Sequence, residues 1–318
     1  MSKIIKITKD SNEEFYVFWE LTDFCNQKCS YCPPDLHEGK VAQGIFPGAP
    51  TDDEIDKFLE TLEEISKSKN VPLRIVISGG EPTLHHKLPE IITKIKSFNG
   101  HITIATNGTR NVSYWKELPT LPDQVVISIH PEYYESKQHR INELANFLDG
   151  QVNFFFYVLA QPTKWDNVMG IINDLDNKFK PLVELKPIHN KHHADRELCD
   201  YSVEQLDFIK NYPTKLKYEI ESPRSSVVYS DGTIINKVVT GKIISNNEHY
   251  FLGWMCEVGV NNIAVNATGQ VTGGVCGVSR RGHISNFTLN KTHSICVRPS
   301  CTCPSDVTID KYDPKFKS

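Results

Sequence analysis

No apolar run in this 318-residue chain is long enough to span a bilayer, which sets aside an integral membrane protein. The opening stretch MSKIIKITKDSNEEF lacks the apolar core of a secretion signal, so a cytoplasmic location is expected. A basic excess is missing too. Lys and Arg number 35 against 39 Asp and Glu, a formal net charge of −4, which argues against a general nucleic-acid binder. Internal repeats and low-complexity tracts are absent, which excludes a repeat array. What remains is ordinary for a globular protein: 39% hydrophobic and 23% charged residues, in a length that suits one large domain or a large and a small one.

Nine cysteines stand out against that background. In a reducing compartment they are not expected to form a disulfide framework, and clustered ones are better read as metal ligands. Cys25, Cys29 and Cys32 lie close together near the start. Cys256, Cys276, Cys296, Cys301 and Cys303 lie in the last quarter, and Cys199 stands alone. Two groups suggest two metal centres.

The first 190 residues read as alternating strands and helices. Residues 15–21 form a continuous apolar run, as expected of a strand in a parallel sheet. Thr51 with Glu54 makes a capping box, and Ile55, Phe58, Leu59, Leu62 and Ile65 follow at helical spacing. Further strands are predicted at 73–78, 102–106, 125–130, 152–159 and 182–187, with helices around 87–97, 137–148 and 166–178. Such βα units predict an α/β fold, a partial (β/α)6 TIM-like barrel over 12–190 with ligands at the C-terminal strand ends. A polar, histidine-rich link then leads into a region, 191–250, with a helix at 203–211 and a hairpin about Asp231-Gly232. A small loop-rich unit of β-hairpin and helix, 251–318, holds the second cysteine group, with a hairpin about 266–269.

The run Cys25-Asn26-Gln27-Lys28-Cys29-Ser30-Tyr31-Cys32 places three thiols in a tight loop after the first barrel strand. Thiolates suit iron–sulfur clusters or zinc. Three ligands leave one iron of a 4Fe–4S cluster open, whereas a structural zinc would close with a fourth, for which His37 is at hand. This C-x3-C-x2-C loop resembles that of the radical S-adenosylmethionine (radical SAM) superfamily, over about residues 15–190. Ser78-Gly79-Gly80-Glu81-Pro82 at the end of the second strand matches the GGEP motif of that family. The resemblance implies that Tyr31 lies against the adenine of the cofactor and that Gly79, Gly80, Glu81 and Pro82 receive its methionine end. It further implies that Thr106, Asn107 and Ser128, at later strand ends, meet its ribose and carboxylate. It also implies the chemistry: a cluster reduced by flavodoxin or ferredoxin splits S-adenosylmethionine, and the 5′-deoxyadenosyl radical takes hydrogen from a C–H bond.

The second group resembles the auxiliary-cluster domain of the twitch and SPASM branches, in which cysteines flank a glycine hairpin. That implies a second 4Fe–4S cluster held by four of Cys256, Cys276, Cys296, Cys301 and Cys303, the C-x4-C-x-C ending leaving open which four. A four-cysteine zinc site is the competing reading.

His130 and Glu132, after the fourth strand, and Lys186 and His189, after the sixth, lie where substrate is expected; solvated strand ends are the plainer alternative. Cys199 is either a hydrogen donor to a substrate radical or a packing residue. The expected substrate is a small polar metabolite: a sugar, amino sugar or nucleoside derivative, oxidised, epimerised or rearranged. About fourteen residues precede the first strand, which leaves no N-terminal peptide-recognition domain and sets modification of a ribosomal peptide second. A non-catalytic metal-binding scaffold is the reading from another class.

Overall fold

The computed structural model of the chain describes residues 2–9, 14–32, 37–45, 48–179, 182–189, 199–212, 224–239, 243–244, 246–301 and 304–316. Cys303 lies outside them, as does the histidine-rich link apart from His189.

A first strand, β1 (Ile4–Lys9), precedes the barrel; the sequence reading had placed none before residue 15. The barrel strands follow as β2 (Phe15–Thr22), β3 (Leu73–Gly79), β4 (His101–Thr106), β5 (Gln124–Ile129), β6 (Asn153–Ala160) and β7 (Val183–Pro187). Between them run α1 (Asp52–Lys69), α2 (Leu88–Ser97), α3 (Val112–Lys116), α4 (Tyr134–Leu148) and α5 (Trp165–Lys178). The six strands lie parallel and side by side in chain order, so every crossover steps the same way, as it does in a barrel. The sheet ends on β7 and does not close on itself. It is a partial barrel.

Local chemistry accounts for the helices. Thr51 accepts from the Glu54 N–H while the Glu54 carboxylate takes the Thr51 N–H at 2.9 Å, so the capping box forms as its sequence requires. Ile55, Phe58, Leu59 and Leu62 of α1 are buried, and Phe58 meets Trp19 of β2 edge-to-face at 5.2 Å. Along β2, Phe15, Val17, Trp19 and Leu21 are buried in this core, so the intervening Tyr16, Phe18 and Glu20 face the hollow of the barrel.

Past the barrel come α6 (Val203–Asn211), the hairpin β8 (Arg224–Tyr229) and β9 (Ile234–Val239), and β10 (Met255–Cys256). Then follow β11 (Asn262–Val265), β12 (Gln270–Thr272), β13 (Arg280–His283), β14 (Asn286–Phe287), β15 (Ser294–Ile295), α7 (Pro304–Val307) and β16 (Lys311–Tyr312). β11 pairs parallel with β2, so the barrel sheet runs on through β11 to β14 and reaches ten strands. A second sheet has the order β15-β10-β16-β1-β8-β9, with β1 between β16 and β8. Asp231-Gly232 turns the β8–β9 hairpin, Gly232 at φ +87° and Thr233 N–H held by the Asp231 carboxylate at 2.9 Å. Gly269, at φ +72°, does the same for β11–β12. Among the described residues no helix is long and apolar enough to cross a membrane.

Candidate active site

The loop bearing Cys25, Cys29 and Cys32 leaves β2 at the C-terminal end of the barrel and is fastened to the end of β3. Gly80 N–H donates to Thr22 O at 2.7 Å and Glu81 N–H to Phe24 O at 2.8 Å. Only glycine permits this approach: a Cβ at Gly80 would stand 2.2 Å from Phe24 O, and one at Gly79 2.4 Å from Thr22 O, with Gly79 at φ +115°. The two glycines therefore let strand end and cysteine loop touch backbone to backbone. Within the loop the side chains alternate. Phe24, Asn26, Lys28 and Ser30 are exposed, while Gln27 and Cys29 are buried.

Glu81 is fully buried, and its carboxylate is fully engaged by the protein. Thr83 N–H (3.1 Å), Thr83 Oγ1 (2.6 Å) and Thr106 Oγ1 (2.8 Å) donate to one oxygen, and Asn107 N–H (2.6 Å) to the other. The side chain ties the end of β3 to the end of β4. Asn107 then reaches the cysteine loop, its amide donating to Asn26 Oδ1 at 2.9 Å and to Cys25 Sγ at 3.5 Å. Gln27 N–H also points at Cys25 Sγ, at 3.4 Å. Two N–H groups on one sulfur are what a metal-bound thiolate takes up.

The loop after β5 grips the other side. Glu132 accepts from Ser30 N–H at 2.9 Å, from Ser30 Oγ, and from Gln161 Nε2 at 2.8 Å. Burial acts to raise the Glu132 carboxyl, yet these donors hold it below the usual range. Tyr133 Oη accepts from Lys28 N–H at 3.0 Å. His130 Nδ1 lies 2.5 Å from Tyr31 Oη and 3.3 Å from Cys29 Sγ. Burial first, and Lys186 second, bring His130 down to about 4. The ring is therefore neutral at pH 7 and accepts the Tyr31 proton, its own N–H being on Nε2. Burial likewise pushes the Cys29 thiol up to about 12, so a metal must displace its proton.

Ser128, Tyr157 and Glu184 lie abreast on β5, β6 and β7, facing the hollow. Burial pushes Glu184 up to about 7 against the pull of Lys186, whose ammonium lies 5.2 Å from the Tyr157 ring centroid. His189 is half-buried just beyond β7. Cys199 is held there too, its N–H on Ile188 O at 3.0 Å. The barrel thus gathers Cys25, Cys29, Cys32, Tyr31, Gly79–Pro82, Thr106, Asn107, Ser128, His130, Glu132, Lys186, His189 and Cys199 at its C-terminal end.

The Radical SAM superfamily profile matches residues 19–185, over half of the chain. The chain belongs to the radical SAM superfamily. Membership brings enzyme activity, a 4Fe–4S cluster and S-adenosylmethionine. Three curated relatives are all named GTP 3′,8-cyclase. The protein of Vibrio atlanticus is 33% identical over 253 residues, covering 77% of this chain and 64% of the relative. That of Mannheimia succiniciproducens is 28% identical over 184 residues, covering 55% and 52%. That of Actinobacillus succinogenes is 34% identical over 113 residues, covering 32% and 30%. The matches thus span 30% to 64% of these relatives' lengths. In structure the chain is similar to native anSMEcpe with bound AdoMet, with a TM-score of 0.54 and 15% identity over 86% of this chain and 79% of that one. The same enzyme with AdoMet and the Kp18Cys peptide gives 0.51, at 15% identity over 86% and 78%. At that identity the likeness is one of fold.

The second cysteine group of this radical SAM chain sits against the second sheet. Cys256, on β10, is buried beside Cys296, while Cys276 has Cys301 as its neighbour. Backbone bonds fix each position: Cys296 N–H to Trp254 O at 2.7 Å, Cys301 N–H to His249 O at 2.8 Å, and Cys276 N–H to the Asp306 carboxylate at 2.6 Å. Lys311, 3% exposed, donates to Asp306 O (2.6 Å) and Val307 O (2.8 Å). Its charge opposes the burial that raises the Cys256 thiol. Among the described residues no three His, Cys, Asp or Glu side chains converge as the ligands of a single ion. A four-iron cluster does not require that, since each iron takes its own thiolate.

The sequence reading missed Asn26, Thr109, Tyr133, Gln161 and Lys311. Thr109 and Gln161 obey the strand-end rule, directly after β4 and β6, and that rule would have found them.

Proposed function

We propose that Cys25, Cys29 and Cys32 hold the 4Fe–4S cluster of this enzyme, with S-adenosylmethionine seated among Tyr31, the Gly79–Pro82 strand end, Asn107 and Ser128. When bound and reduced by one electron, these cofactors supply methionine and a 5′-deoxyadenosyl radical, which takes a hydrogen atom from a substrate C–H bond. The residues of the chain do the rest. Gly79 and Gly80 bring the strand end against the cysteine loop, Glu81 fixes that strand end to Thr106 and Asn107, and Glu132 and Tyr133 hold the loop from the other side. The barrel hollow, with Glu184 and Lys186 on β7, receives the substrate and shields it from water. One observation carries the reading: the backbone docking of Gly80 and Glu81 on Thr22 and Phe24, which makes cluster loop and cofactor motif one unit.

A second 4Fe–4S cluster, on Cys256, Cys276, Cys296 and Cys301, belongs to the proposal, supported by the pairwise approach of those thiols and the buried Lys311 ammonium beside them. The substrate is a small polar metabolite, a sugar or nucleoside derivative; relatives named for a nucleotide substrate support this class. A peptide is the alternative that the assay below separates. The electron comes from flavodoxin or ferredoxin, in the cytoplasm.

Anaerobically reconstituted protein, given dithionite and S-adenosylmethionine, is expected to form 5′-deoxyadenosine and methionine slowly without substrate. Cys29→Ala abolishes this. Candidate metabolites and peptides are ranked by acceleration of deoxyadenosine release and by deuterium transfer into it. A full, reducible cluster that never cleaves the cofactor would overturn the proposal.

A further inference from the structure

Behind the cysteine loop, at the end of β4, lies a cavity of about 260 Å³ lined by Asn26, Leu84, Thr109, Arg110, Asn111 and Arg140. Two guanidinium groups from different elements meet in it: Arg110 from the loop after β4 and Arg140 from α4. Each is fixed by a backbone carbonyl. Arg110 Nε donates to Thr83 O at 3.0 Å, with its guanidinium 5.1 Å from the Tyr114 ring centroid, and Arg140 Nη1 donates to Thr109 O at 3.2 Å. Neither makes an ion pair with a carboxylate among the described residues, and the lining contains no acid. A guanidinium has five N–H donors, so most of the donors on each remain for a ligand. Asn111 adds to them: its Oδ1 accepts from Tyr114 N–H (3.3 Å) and Ser113 Oγ (2.8 Å), which turns its amide N–H group away from those partners.

We propose that this cavity binds a phosphoryl or carboxylate group of a small molecule. Planar forks held in place match the oxygens of such groups two at a time, and two like charges sharing one cavity repel until an anion joins them. The site is separate from the one proposed for S-adenosylmethionine. Asn107 and Asn26 stand between the cavity and Cys25, the Asn107 amide donating to Cys25 Sγ and Asn26 Oδ1 together. A bound anion therefore lies within one layer of side chains of the cysteine loop. Its source is either the charged end of a metabolite or the free ion.

The test is calorimetric titration of the cluster-loaded full-length protein, at low salt, with orthophosphate, pyrophosphate, a sugar phosphate and the parent sugar. Saturable binding of the phosphorylated compounds is expected, with none of the sugar. Sugar phosphate binding more tightly than orthophosphate identifies a metabolite as the source; equal affinity identifies the free ion. Arg110→Gln and Arg140→Gln are each expected to weaken phosphate binding at least about tenfold, the loss of one charge-assisted contact. Both should keep the melting temperature, iron content and S-adenosylmethionine affinity of the parent. Absence of phosphate binding by the parent, or undiminished binding in both variants, overturns the proposal. So does a parallel loss of S-adenosylmethionine affinity, which would make the cavity part of the cofactor site. Phosphate binding does not require cofactor cleavage, so failure here and failure of the radical reaction are told apart.

Discussion

At the scale of single residues, carboxylates govern the site from behind the cysteines. Glu132 holds Ser30, between Cys29 and Cys32, by backbone and side chain together. Its negative charge lies against the loop proposed to carry the cluster, and a nearby negative charge favours the oxidised state. Glu132→Gln is therefore expected to raise the cluster midpoint potential, read by potentiometric titration, and to speed loss of iron to a chelator. If potential and chelation rate both match the parent, Glu132 has no hold on the cluster. Glu184 gives a prediction of another kind. Its folded pKa, about 7, lies above its unfolded value, so the unfolded chain gives up that proton first as pH rises. Stability from this group is full below the unfolded pKa and is lost as pH climbs through about 7. Glu184→Gln should melt near the parent at pH 5 and above it at pH 8, by at most about 3 kcal/mol. The same difference at both pH values would show that the carboxyl is well solvated. Glu81 shows where the sequence misled: the motif suggested contact with the cofactor, but four donors from Thr83, Thr106 and Asn107 already occupy the carboxylate.

At the scale of elements, most of the barrel was legible. The apolar run of β2, the Thr51–Glu54 box of α1 and the alternation of later strands with helices are local signals, and the observed elements differ from the expected ones by one to a few residues at their ends. β1 was passed over because its pattern, IIKITK, is short and rich in lysine, although Ile4 and Ile7 are the buried positions. The clamps on the cysteine loop were not legible for a different reason. Ser30 meets Glu132 and Lys28 meets Tyr133 across more than a hundred residues, and only the side-by-side order of strands brings them together. The junction of β2 and β3 is the element-scale test. In Gly80→Ala the new Cβ falls on Phe24 O, a backbone atom that cannot retreat without losing its bond from Glu81 N–H. Iron is expected to fall from roughly eight to roughly four per chain, the far-UV circular dichroism staying as in the parent, because only the Cys25–Cys32 loop loses its seat. Full iron content and unchanged cofactor cleavage would contradict the role given to this contact.

At the scale of the whole molecule, two sheets share their load unevenly between near and distant parts of the chain. The parallel strands β2 to β7 and their helices draw only on neighbours in sequence, whereas the second sheet joins β1 to β8 and β16. Lys9 N–H on the Asp310 carboxylate (2.5 Å), and Glu14 bridging Lys9 (2.8 Å) and Arg74 (2.7 Å), link that sheet to the barrel. Deleting residues 2–9 is expected to leave the Cys25–Cys32 loop able to take iron but to cost the iron of the second group, measured by iron analysis and melting. Unaltered iron and melting temperature would show β1 to be dispensable. The placement of β1 also sets a timetable for synthesis. The ribosome makes this strand first, yet one of its two partners, β16, is among the last pieces to emerge, on the order of tens of seconds later. Throughout that interval the barrel half can close and receive its metal, while an unpaired strand and a growing set of bare thiols wait beside it. Assembly of the two centres is thereby ordered in time, the cofactor-cleaving one first, and the interval before β16 appears is when the nascent chain is most exposed to oxidation and to mispairing along the open edge of β1.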